Sequence, residues 1–598
     1  MPFGARLVDG GVEFSLWAPS ADAVSLVLEC LEIDMPRENG GWRRVTVPGA
    51  KAGDRYRFRV GGDLLVPDPA SRHQPDDVMG AGTVMDPAAF RWSDAAWTGR
   101  PWEEAVIYEA HVGTATPEGT FAALADKLPD LADLGITAIE LMPLAEFPGK
   151  RNWGYDGVLP FAPDAVYGSP DDLKRLIDRA HGLGLMMLLD VVYNHFGPSG
   201  NYLHAYAGGF FTERHMTPWG AAINFDARSA RPVRDFFVHN ALYWLEEFHF
   251  DGLRLDAVHA IMDDGRIHIL DEIATAAREA CPGRHIHLVL ENDANEARRL
   301  ARDGALPRLY TAQWNDDLHH AWHVLLTGET SGYYVDYADD PMGSLGRALA
   351  EGFVYQGEPS AHREGAARGE PSRHLPPTAF VSFLQNHDQI GNRAFGERLT
   401  ALVPEERLAA ARAALLLAPQ PPMLFMGEEW GAATPFLYFV DFAGDPDLAR
   451  AVRDGRRREF ATSAAFSDPD QVGRIPDPTE EDTFLRSKLD WLEASRPENA
   501  AILEEVRAVL ELRRRHVLPL LRSDFVDAEF ELPGAAALDV TWRFAAGTLR
   551  LLLNAGDDPL DVAAGETRPV WTSPTARRQG GDWLLPSWTV AVFAGGPS

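Results

Sequence analysis

The chain has 598 residues, of which 45% are hydrophobic and 24% charged, and 88 acidic against 56 basic residues give a formal net charge of −32. This length exceeds what one hydrophobic core usually serves, so we expect two to four domains of ordinary globular type. The acidic balance argues against nucleic acid or an anionic membrane as partner, because both require a basic protein surface. A neutral substrate fits such a chain better.

The cysteine content and the first residues bear on the compartment. Only Cys30 and Cys281 occur, which argues against a disulfide framework and against a thiolate metal cluster. The chain start lacks the charged region and apolar run of a signal peptide. No stretch of about 18 uncharged apolar residues is present to span a membrane. We therefore expect a cytoplasmic protein without a membrane partner.

Residues 1–94 are predicted to form an N-terminal immunoglobulin-like β-sandwich. Polar and apolar side chains alternate over residues 11–17, 24–28 and 55–60, and glycine, proline and asparagine punctuate these runs. Such alternation with regular turn residues is typical of short antiparallel strands. None of these residues points to catalysis, so we expect an accessory domain.

Residues 95–515 are predicted to form an α/β domain, a (β/α)8 TIM barrel, because strands and amphipathic helices alternate there. One helix begins after the cap residue Ser169, with Pro170 at its first position, and ends near Gly182. Eight such units favour a closed barrel over an open sheet. The predicted strands are Val106–His111, Ile136–Met142, Leu185–Asp190, Gly252–Asp256, His287–Glu291, Arg308–Gln313, Ala379–Leu384 and Pro422–Met426.

The connections that leave the barrel strands differ in length. Those over residues 143–168, 191–228, 314–341 and 427–490 are long, and they lie on the face where barrel enzymes carry their active sites. The polar insertion 357–377 instead precedes a strand. It should start from the opposite face, and we expect little contact between it and a substrate.

A third region, residues 516–598, is predicted to be a C-terminal antiparallel β-domain. It follows a helical stretch over residues 499–515. Residues 548–554 and 588–593 are its clearest strands.

Four segments place acidic or histidine side chains at the ends of predicted barrel strands. They are Asp190–His195, Gly252–His259, Leu288–Glu291 and Phe383–Asp388. Because barrel enzymes assemble their sites from the C-terminal ends of several strands, the series predicts one active site. Several converging carboxylates are also what glycoside hydrolysis requires.

The fourth strand carries the predicted nucleophile. Arg254 and Asp256 are two residues apart and project to the same face of the strand. The guanidinium should lower the pKa of the Asp256 carboxyl and keep it charged, as a nucleophile requires. His259 follows the strand end, where it can approach a sugar hydroxyl.

Two further carboxylates complete the predicted set. Glu291 follows the apolar residues Leu288–Leu290, and partial burial there is expected to raise its pKa, as a general acid needs. Asp388, beside His387, could favour positive charge in the transition state. A nucleophile and an acid about 5 to 5.5 Å apart define a retaining glycosidase.

Several other side chains could have a structural role instead of a role in substrate binding. Asp190 is expected mainly to hold Arg254 by a hydrogen bond. Aromatic residues in the predicted top-face segments could stack on sugar rings, but aromatic side chains are more often core, and we favour the core interpretation for each except Tyr155. These residues are Trp153, Tyr155, Trp219, Trp314, Trp322 and Trp430.

A metal centre built from His195, Asp256, His259 and Asp388 is a competing interpretation. It would need a compact ligand set with open positions, and no His-x-His or His-Glu-x-x-His element supports it. We expect neither a metal nor another cofactor.

The four segments resemble, in order, the signature regions of the α-amylase superfamily of retaining glycoside hydrolases. The resemblance implies that Asp256 is the nucleophile, Glu291 the acid/base and Asp388 the transition-state stabiliser. It also implies that the aromatic ring of Tyr155 stacks beneath the sugar at the cleavage site. Arg254, His195 and His387 would surround that sugar. Residues 220–226 and 427–431 are similar to two lesser signature regions, and the N-terminal sandwich to the accessory domain of branching and debranching members.

Within the superfamily, Gln385–Asn392 followed by Arg393 is similar to members that release trehalose. That resemblance implies hydrolysis of the α-1,4 bond between a maltooligosaccharide and a terminal trehalose, with Trp219, Asn386 and Arg393 among the substrate-binding residues. The substrate would be maltooligosyl trehalose or a related α-1,4-glucan, and the functional partner a maltooligosyl trehalose synthase. Branching enzymes usually carry Ser-His-Asp where Asn386–Asp388 stands. An α-1,4-glucan branching transferase remains the main alternative, and a non-catalytic glucan-binding protein a more distant one.

Overall fold

The centre of the molecule is a barrel of eight parallel strands. A computed structural model describes residues 1–442, 444–461, 473–563, 568–579 and 582–596. The barrel strands are β1 (Ile107–Ala110), β2 (Ala138–Leu141), β3 (Met186–Val191), β4 (Gly252–Leu255), β5 (His287–Leu290), β6 (Ala312–Trp314), β7 (Phe380–Val381) and β8 (Met423–Phe425). They pair in the order β7-β6-β5-β4-β3-β2-β1-β8, and a parallel bridge between Ser382 and Pro422 joins the two ends. The predicted (β/α)8 barrel is thus confirmed.

The barrel interior has an apolar lower layer and a polar upper layer. Side chains two residues apart on a strand share a face, so Ile107 and Ala138 lie below Glu109 and Glu140. The lower cluster also contains Met186, Leu188 and Val289. On β1 to β4 the interior positions toward the C-terminal ends of the strands are charged: Glu109, Glu140, Asp190 and Arg254.

All eight predicted strands are present, but β6 begins later than predicted. Arg278 donates hydrogen bonds to the Leu309 carbonyl, at 2.8 Å from its Nε. Arg302 donates to the carbonyls of Tyr310 and Thr311, at 3.1 and 2.6 Å. The two arginines thus occupy backbone carbonyl groups that would otherwise pair with a neighbouring strand. The hydrogen-bonded strand therefore starts only at Ala312.

Helices surround the barrel. The predicted helix extends over Pro170–Gly182, with Ser169 and Asp172 forming a reciprocal capping box. The other α-helices are Val112–Ala115, Phe121–Ala125, Leu128–Leu134, Leu203–Tyr206, Ala230–Glu246, Ile269–Ala280, Asp316–Thr327, Pro341–Glu351, His387–Gly391, Leu399–Leu402, Glu405–Leu417, Pro446–Ala461, Glu481–Arg486, Pro497–Leu512 and Leu518–Leu521, with a π-helical turn at Arg513–Val517. In the described part of the chain, no helix combines the length and apolar character needed to cross a membrane.

The N-terminal region forms two antiparallel sheets, as predicted. One contains Gly4–Val8, Gly11–Trp17 and Trp42–Pro48, and the other Leu31–Asp34, Val24–Leu28, Arg55–Val60, Leu64–Val66 and Gly82–Thr83. Apolar side chains of these sheets join one buried cluster with those of the barrel.

The C-terminal region is also antiparallel, as predicted. Its five-stranded sheet contains Phe525–Gly534, Ala537–Phe544, Gly547–Asn554, Thr589–Gly595 and Trp571–Thr572, and its three-stranded sheet Leu560–Ala563, Asp582–Leu585 and Arg577–Gln579. Residues 564–567, 580–581 and 597–598 of this predicted domain, and residues 443 and 462–472 of the predicted connection 427–490, lie outside the described residues. The domain boundaries at 94 and 515 remain predictions.

Short two-stranded sheets decorate the connections between barrel elements. They pair Ala145–Glu146 with Leu159–Pro163, Phe211–Thr217 with Gly220–Ile223, and Arg302–Asp303 with Leu306–Pro307.

The insertion 357–377 extends to the face that carries the site, and the expectation of little contact between it and a substrate stays a prediction. Arg368 donates from Nε to the carbonyl of Asp293, at 2.9 Å, and its Nη2 lies 3.0 Å from Asp317 Oδ1. Asp293 and Asp317 follow the C-terminal ends of β5 and β6. Topology fixes only where the insertion starts, and these ion pairs draw it up along the side of the barrel.

Candidate active site

A cavity of about 640 Å³ opens at the C-terminal ends of the barrel strands. Its wall brings together residues from the segments after β2, β3, β4, β5 and β7, and from the long connection after β8. The lining residues are Asn152, Trp153, Tyr155, Asp156, His195, Trp219, Asp256, Ala257, His259, Glu291, Asp388, Asn392, Tyr438, Val452, Gly455, Arg456 and Glu459.

The buried guanidinium of Arg254 joins carboxylates from three strands. Its Nη1 donates to Asp190 Oδ2 at 2.7 Å and to Asp256 Oδ1 at 2.9 Å. Its Nη2 forms an ion pair with Glu291 Oε2 at 2.8 Å, outside hydrogen-bond alignment. Because both nitrogens belong to one planar group, the Asp256 and Glu291 carboxylates face the same small volume. The hydrogen bond predicted between Asp190 and Arg254 is present.

Asp256 and Glu291 are held by different backbone and side-chain donors. Asn194 donates to Asp256 Oδ2 at 2.7 Å. The Ala257 N–H donates to Glu291 Oε2 at 2.8 Å, and Ala257 has a positive φ of 40°. Such a backbone is strained for alanine and is characteristic of functional sites. Glu291 is partly buried, with its side chain 18% exposed.

His387 lies between acceptors on both sides of its ring. Its Nδ1 is 2.5 Å from Glu109 Oε1, and its Nε2 is 2.8 Å from the Tyr155 hydroxyl. Burial opposes a positive charge, but Asp388 and Glu109 outweigh it and raise the pKa of His387 to about 9. We infer a doubly protonated imidazole that donates from both nitrogens.

Tyr155 connects this histidine to the arginine cluster. Its hydroxyl donates to Asp190 Oδ2 at 2.7 Å, and its ring stacks on that of His387. Burial raises the pKa of Asp190 to about 7, although Arg254 opposes the shift. The ring of Tyr155 forms part of the cavity wall, as a platform for a sugar would.

The other aromatic candidates divide into core and cavity residues. Trp314, Trp322 and Trp430 are almost wholly buried, and Trp314 lies beneath Arg254, with its ring centroid 4.1 Å from the guanidinium carbon. These three are core residues, as favoured from the sequence. Trp153 is buried but lines the cavity.

His195, Trp219 and His259 form another part of the wall. The rings of His195 and Trp219 stack at 4.2 Å, and the indole is 51% exposed. His195 Nε2 lies 3.0 Å from the Tyr155 carbonyl, which fixes the histidine ring. His259 is exposed at the cavity edge.

The structure does not place Asn386 and Arg393 in the cavity wall. Asn386 caps the helix His387–Gly391, where its Oδ1 accepts the N–H of Asp388 at 2.9 Å. Arg393 pairs with Glu329 at 2.7 Å and with Glu397 at 3.3 Å. Substrate binding by these two residues stays a prediction.

Sequence reasoning gave no role to several of the lining residues, among them Asn152, Asp156, Tyr438 and Arg456. Asn152 and Asp156 flank the Trp-Gly-Tyr motif, and their polarity beside it could have indicated the cavity. Tyr438 and Arg456 belong to the connection after β8, where no local pattern distinguishes them from surface residues.

One group in the described residues has the geometry of a metal site. It consists of His215, Asp226 and Asp264. Arg214 occupies the same place, with its Nη2 2.9 Å from Asp264 and its Nη1 3.4 Å from Asp226. This arginine already supplies positive charge to both carboxylates.

Comparison with known proteins agrees with the fold. Residues 85–241 match the alpha amylase catalytic domain, and residues 2–69 match carbohydrate-binding module 48, the isoamylase N-terminal domain. The fold is that of the α-amylase class of glycoside hydrolases.

Relatives extend this match over nearly the whole chain. A malto-oligosyltrehalose trehalohydrolase of Rhizobium sp. strain M-11 is 40% identical over 98% of both chains. One of Saccharolobus solfataricus is 42% identical over 87% of this chain and 88% of its own. The crystal structure of a putative alpha amylase from Salmonella typhimurium has a TM-score of 0.93 and 45% identity, with 99% of each chain covered. The chain belongs to the malto-oligosyltrehalose trehalohydrolase family.

Proposed function

We propose that the protein hydrolyses, with retention, the α-1,4 bond between a maltooligosaccharide and a terminal trehalose unit, and so releases trehalose. The observation that carries the chemistry is the contact of one guanidinium, Arg254, with the carboxylates of Asp256 and Glu291 at the open end of the barrel. Family membership over nearly the full length supports the substrate.

In the first step, Glu291 gives its proton to the oxygen that joins the glucan to trehalose. The Asp256 carboxylate attacks the anomeric carbon as the C–O bond breaks, and trehalose leaves. In the second step, Glu291 takes a proton from water, whose oxygen displaces Asp256 from the sugar. Both residues return to their starting states, and the glucan is released with its configuration retained.

The surrounding groups prepare the two carboxylates for these different tasks. Hydrogen bonds from Arg254 and Asn194 fix the orientation of the Asp256 carboxylate. The same arginine and the Ala257 N–H can receive negative charge on Glu291 after it has donated its proton. Asp388, 37% exposed, lies on the cavity side of His387, where its charge can favour the oxocarbenium-like transition state.

Incubation with maltooligosyl trehalose beside plain maltoheptaose tests this proposal. We expect free trehalose from the first and much slower cleavage of the second. Absence of trehalose would overturn the substrate assignment, and new α-1,6 bonds in amylose, read by NMR, would show a branching transferase instead.

The origin of the substrate and the compartment are part of the proposal. Since maltooligosyl trehalose carries an α,α-1,1 bond at one end, a synthase that rearranges the end of a glucan chain must supply it. Free Cys30, which is exposed, and free Cys281 support a reducing compartment such as the cytoplasm.

A further inference from the structure

Glu140 is a buried acid that the proposed reaction does not use. It lies on β2 beside Glu109 of β1 and Leu188 of β3 in the strand register. Its side chain shares a strand face with Ala138, a member of the interior apolar cluster. Glu140 therefore projects into the barrel, in the polar layer directly below the cavity, and is only 1% exposed.

Both carboxyl oxygens of Glu140 lack a hydrogen-bond partner among the described residues. An ionised carboxylate in such a position would be strongly destabilising. Burial, followed by the charge of Glu109, raises the pKa of Glu140 well above its usual range, while Arg254 and His387 oppose the shift. A neutral acid has one proton to donate and can still accept.

Other interior polar atoms around this acid are also unpaired. In the described part of the chain they include Asp190 Oδ1 and Nε of Arg254. Asp190 lies two residues beyond Leu188, the register partner of Glu140, so the two acids are diagonal neighbours on the interior face. Buried polar groups in proteins are nearly always satisfied by protein or ordered water.

We propose that Glu140 is a positioning residue: held as a neutral acid, it donates through ordered water to Asp190, which in turn holds Arg254. This inference rests on the proposed function, because Arg254 is taken to orient Asp256 and Glu291. When Glu140 is neutral, it does not compete with Asp256 and Glu291 for the positive charge of Arg254. An ionised Glu140 would attract the Arg254 guanidinium and weaken its interaction with these two carboxylates.

Two variants of the full chain separate this role from simple packing. Glu140→Gln keeps the size and a hydrogen-bond donor, and we expect kcat to stay within about threefold of wild type, since a neutral donor replaces a neutral donor. Glu140→Leu removes the donor, and we expect kcat to fall at least about tenfold while KM changes little, as for loss of orientation rather than binding. Equal large losses in both variants, or no loss in Glu140→Leu, would overturn the proposal.

Infrared difference spectra provide a readout that does not depend on activity. Wild type minus Glu140→Gln at pH 7 should show the carbonyl band of a protonated carboxylic acid, and carboxylate bands would contradict the inference. Because this measurement needs no substrate, its failure is distinct from failure of the proposed function. It also serves if Glu140→Leu does not fold.

Glu146→Gln is the matched control. Burial and Asp164 raise the pKa of this acid as well, but Glu146 accepts from the Ala165 N–H at 3.1 Å and adjoins none of the groups around Arg254. The control should lose an acid band with kcat within about twofold of wild type. A tenfold loss there would mean that any buried acid, not Glu140 in particular, has this effect.

Discussion

Two buried histidines at opposite ends of the barrel have nearly the same chemistry. At the upper end His387 lies between Glu109 and Asp388. At the lower end His181 lies between Asp94, at 2.8 Å from Nδ1, and Asp251, at 3.1 Å from Nε2. Burial opposes charge on His181, but hydrogen bonds with Asp251 and Asp94 outweigh it and raise its pKa.

The two networks differ in what they face. Asp388 is 37% exposed to the cavity, whereas Asp94 and Asp251 are closed off and also bind His249 and Trp97. The lower network joins the segment before β1 to the helix Pro170–Gly182 and to the residue before β4. A perturbed pKa therefore occurs both in the candidate site and in a buried structural network. Here the two differ in whether an acid of the network is accessible from a cavity.

The largest effect should come from the carboxylates above Arg254. Asp256→Asn removes the nucleophile and Glu291→Gln the proton donor, and each should lower kcat/KM by about 10⁴-fold or more without unfolding the protein. Steady-state kinetics and circular dichroism check this. Near wild-type activity in either variant would move the reaction to other residues.

The upper histidine should matter for rate more than for stability. His387→Gln removes a charged donor to Tyr155, and we expect kcat/KM to fall about 10²-fold, as on loss of one donor in a preorganised site. Because the wild-type ring is protonated below a pKa of about 9, the activity of the wild type should decline above that pH. A pH profile of both proteins measures this, and an unchanged alkaline limb in His387→Gln would show that another group titrates.

The lower histidine should show the opposite pattern. His181→Gln should lower the apparent Tm by about 3 to 6 °C, since removal of one partner leaves buried charge unpaired, while kcat stays close to wild type. Folding raises the pKa of His181, so the protonated histidine stabilises the folded protein. This contribution is fully present below the unfolded pKa of about 6.5 and is lost as the pH rises through the pKa of the folded state. The Tm difference should therefore be larger at pH 6 than at alkaline pH. A fall in kcat without a change in Tm for His181→Gln would contradict a purely structural role for the lower network.

The smallest effect is expected for Arg393. Its guanidinium is already engaged by Glu329, so Arg393→Gln should raise KM by less than about threefold, as for a partly exposed ion pair. Initial rates over a range of maltooligosyl trehalose concentrations suffice. A tenfold rise in KM would show that the arginine turns toward substrate.

Alternating patterns predicted most of the fold. The strands Gly11–Trp17, Val24–Leu28 and Arg55–Val60 coincide with the predicted runs, because their period-two alternation is a local property. The start of β6 did not, since it depends on Arg278 and Arg302, whose side chains arrive from other segments.

The site divides in the same way. Asp256, Glu291 and Asp388 could be found because strand ends in a parallel barrel meet at one face. Polarity alone did not show that Asn386 caps the helix His387–Gly391, as it does here. Arg456 was missed because its wall position depends on the packing of the helix Pro446–Ala461, where its Nη2 donates to the Gly391 carbonyl at 2.8 Å.

The path of the insertion 357–377 has a consequence for engineering by loop exchange. Arg363 and Arg368 both donate to the carbonyl of Asp293, two residues beyond Glu291. The two arginines belong to the segment that precedes β7. A chimera that swaps only the segments following the strands would separate these arginines from their acid. The graft must carry this piece of chain with it, or the rim beside the fifth strand will lose its counter-ions.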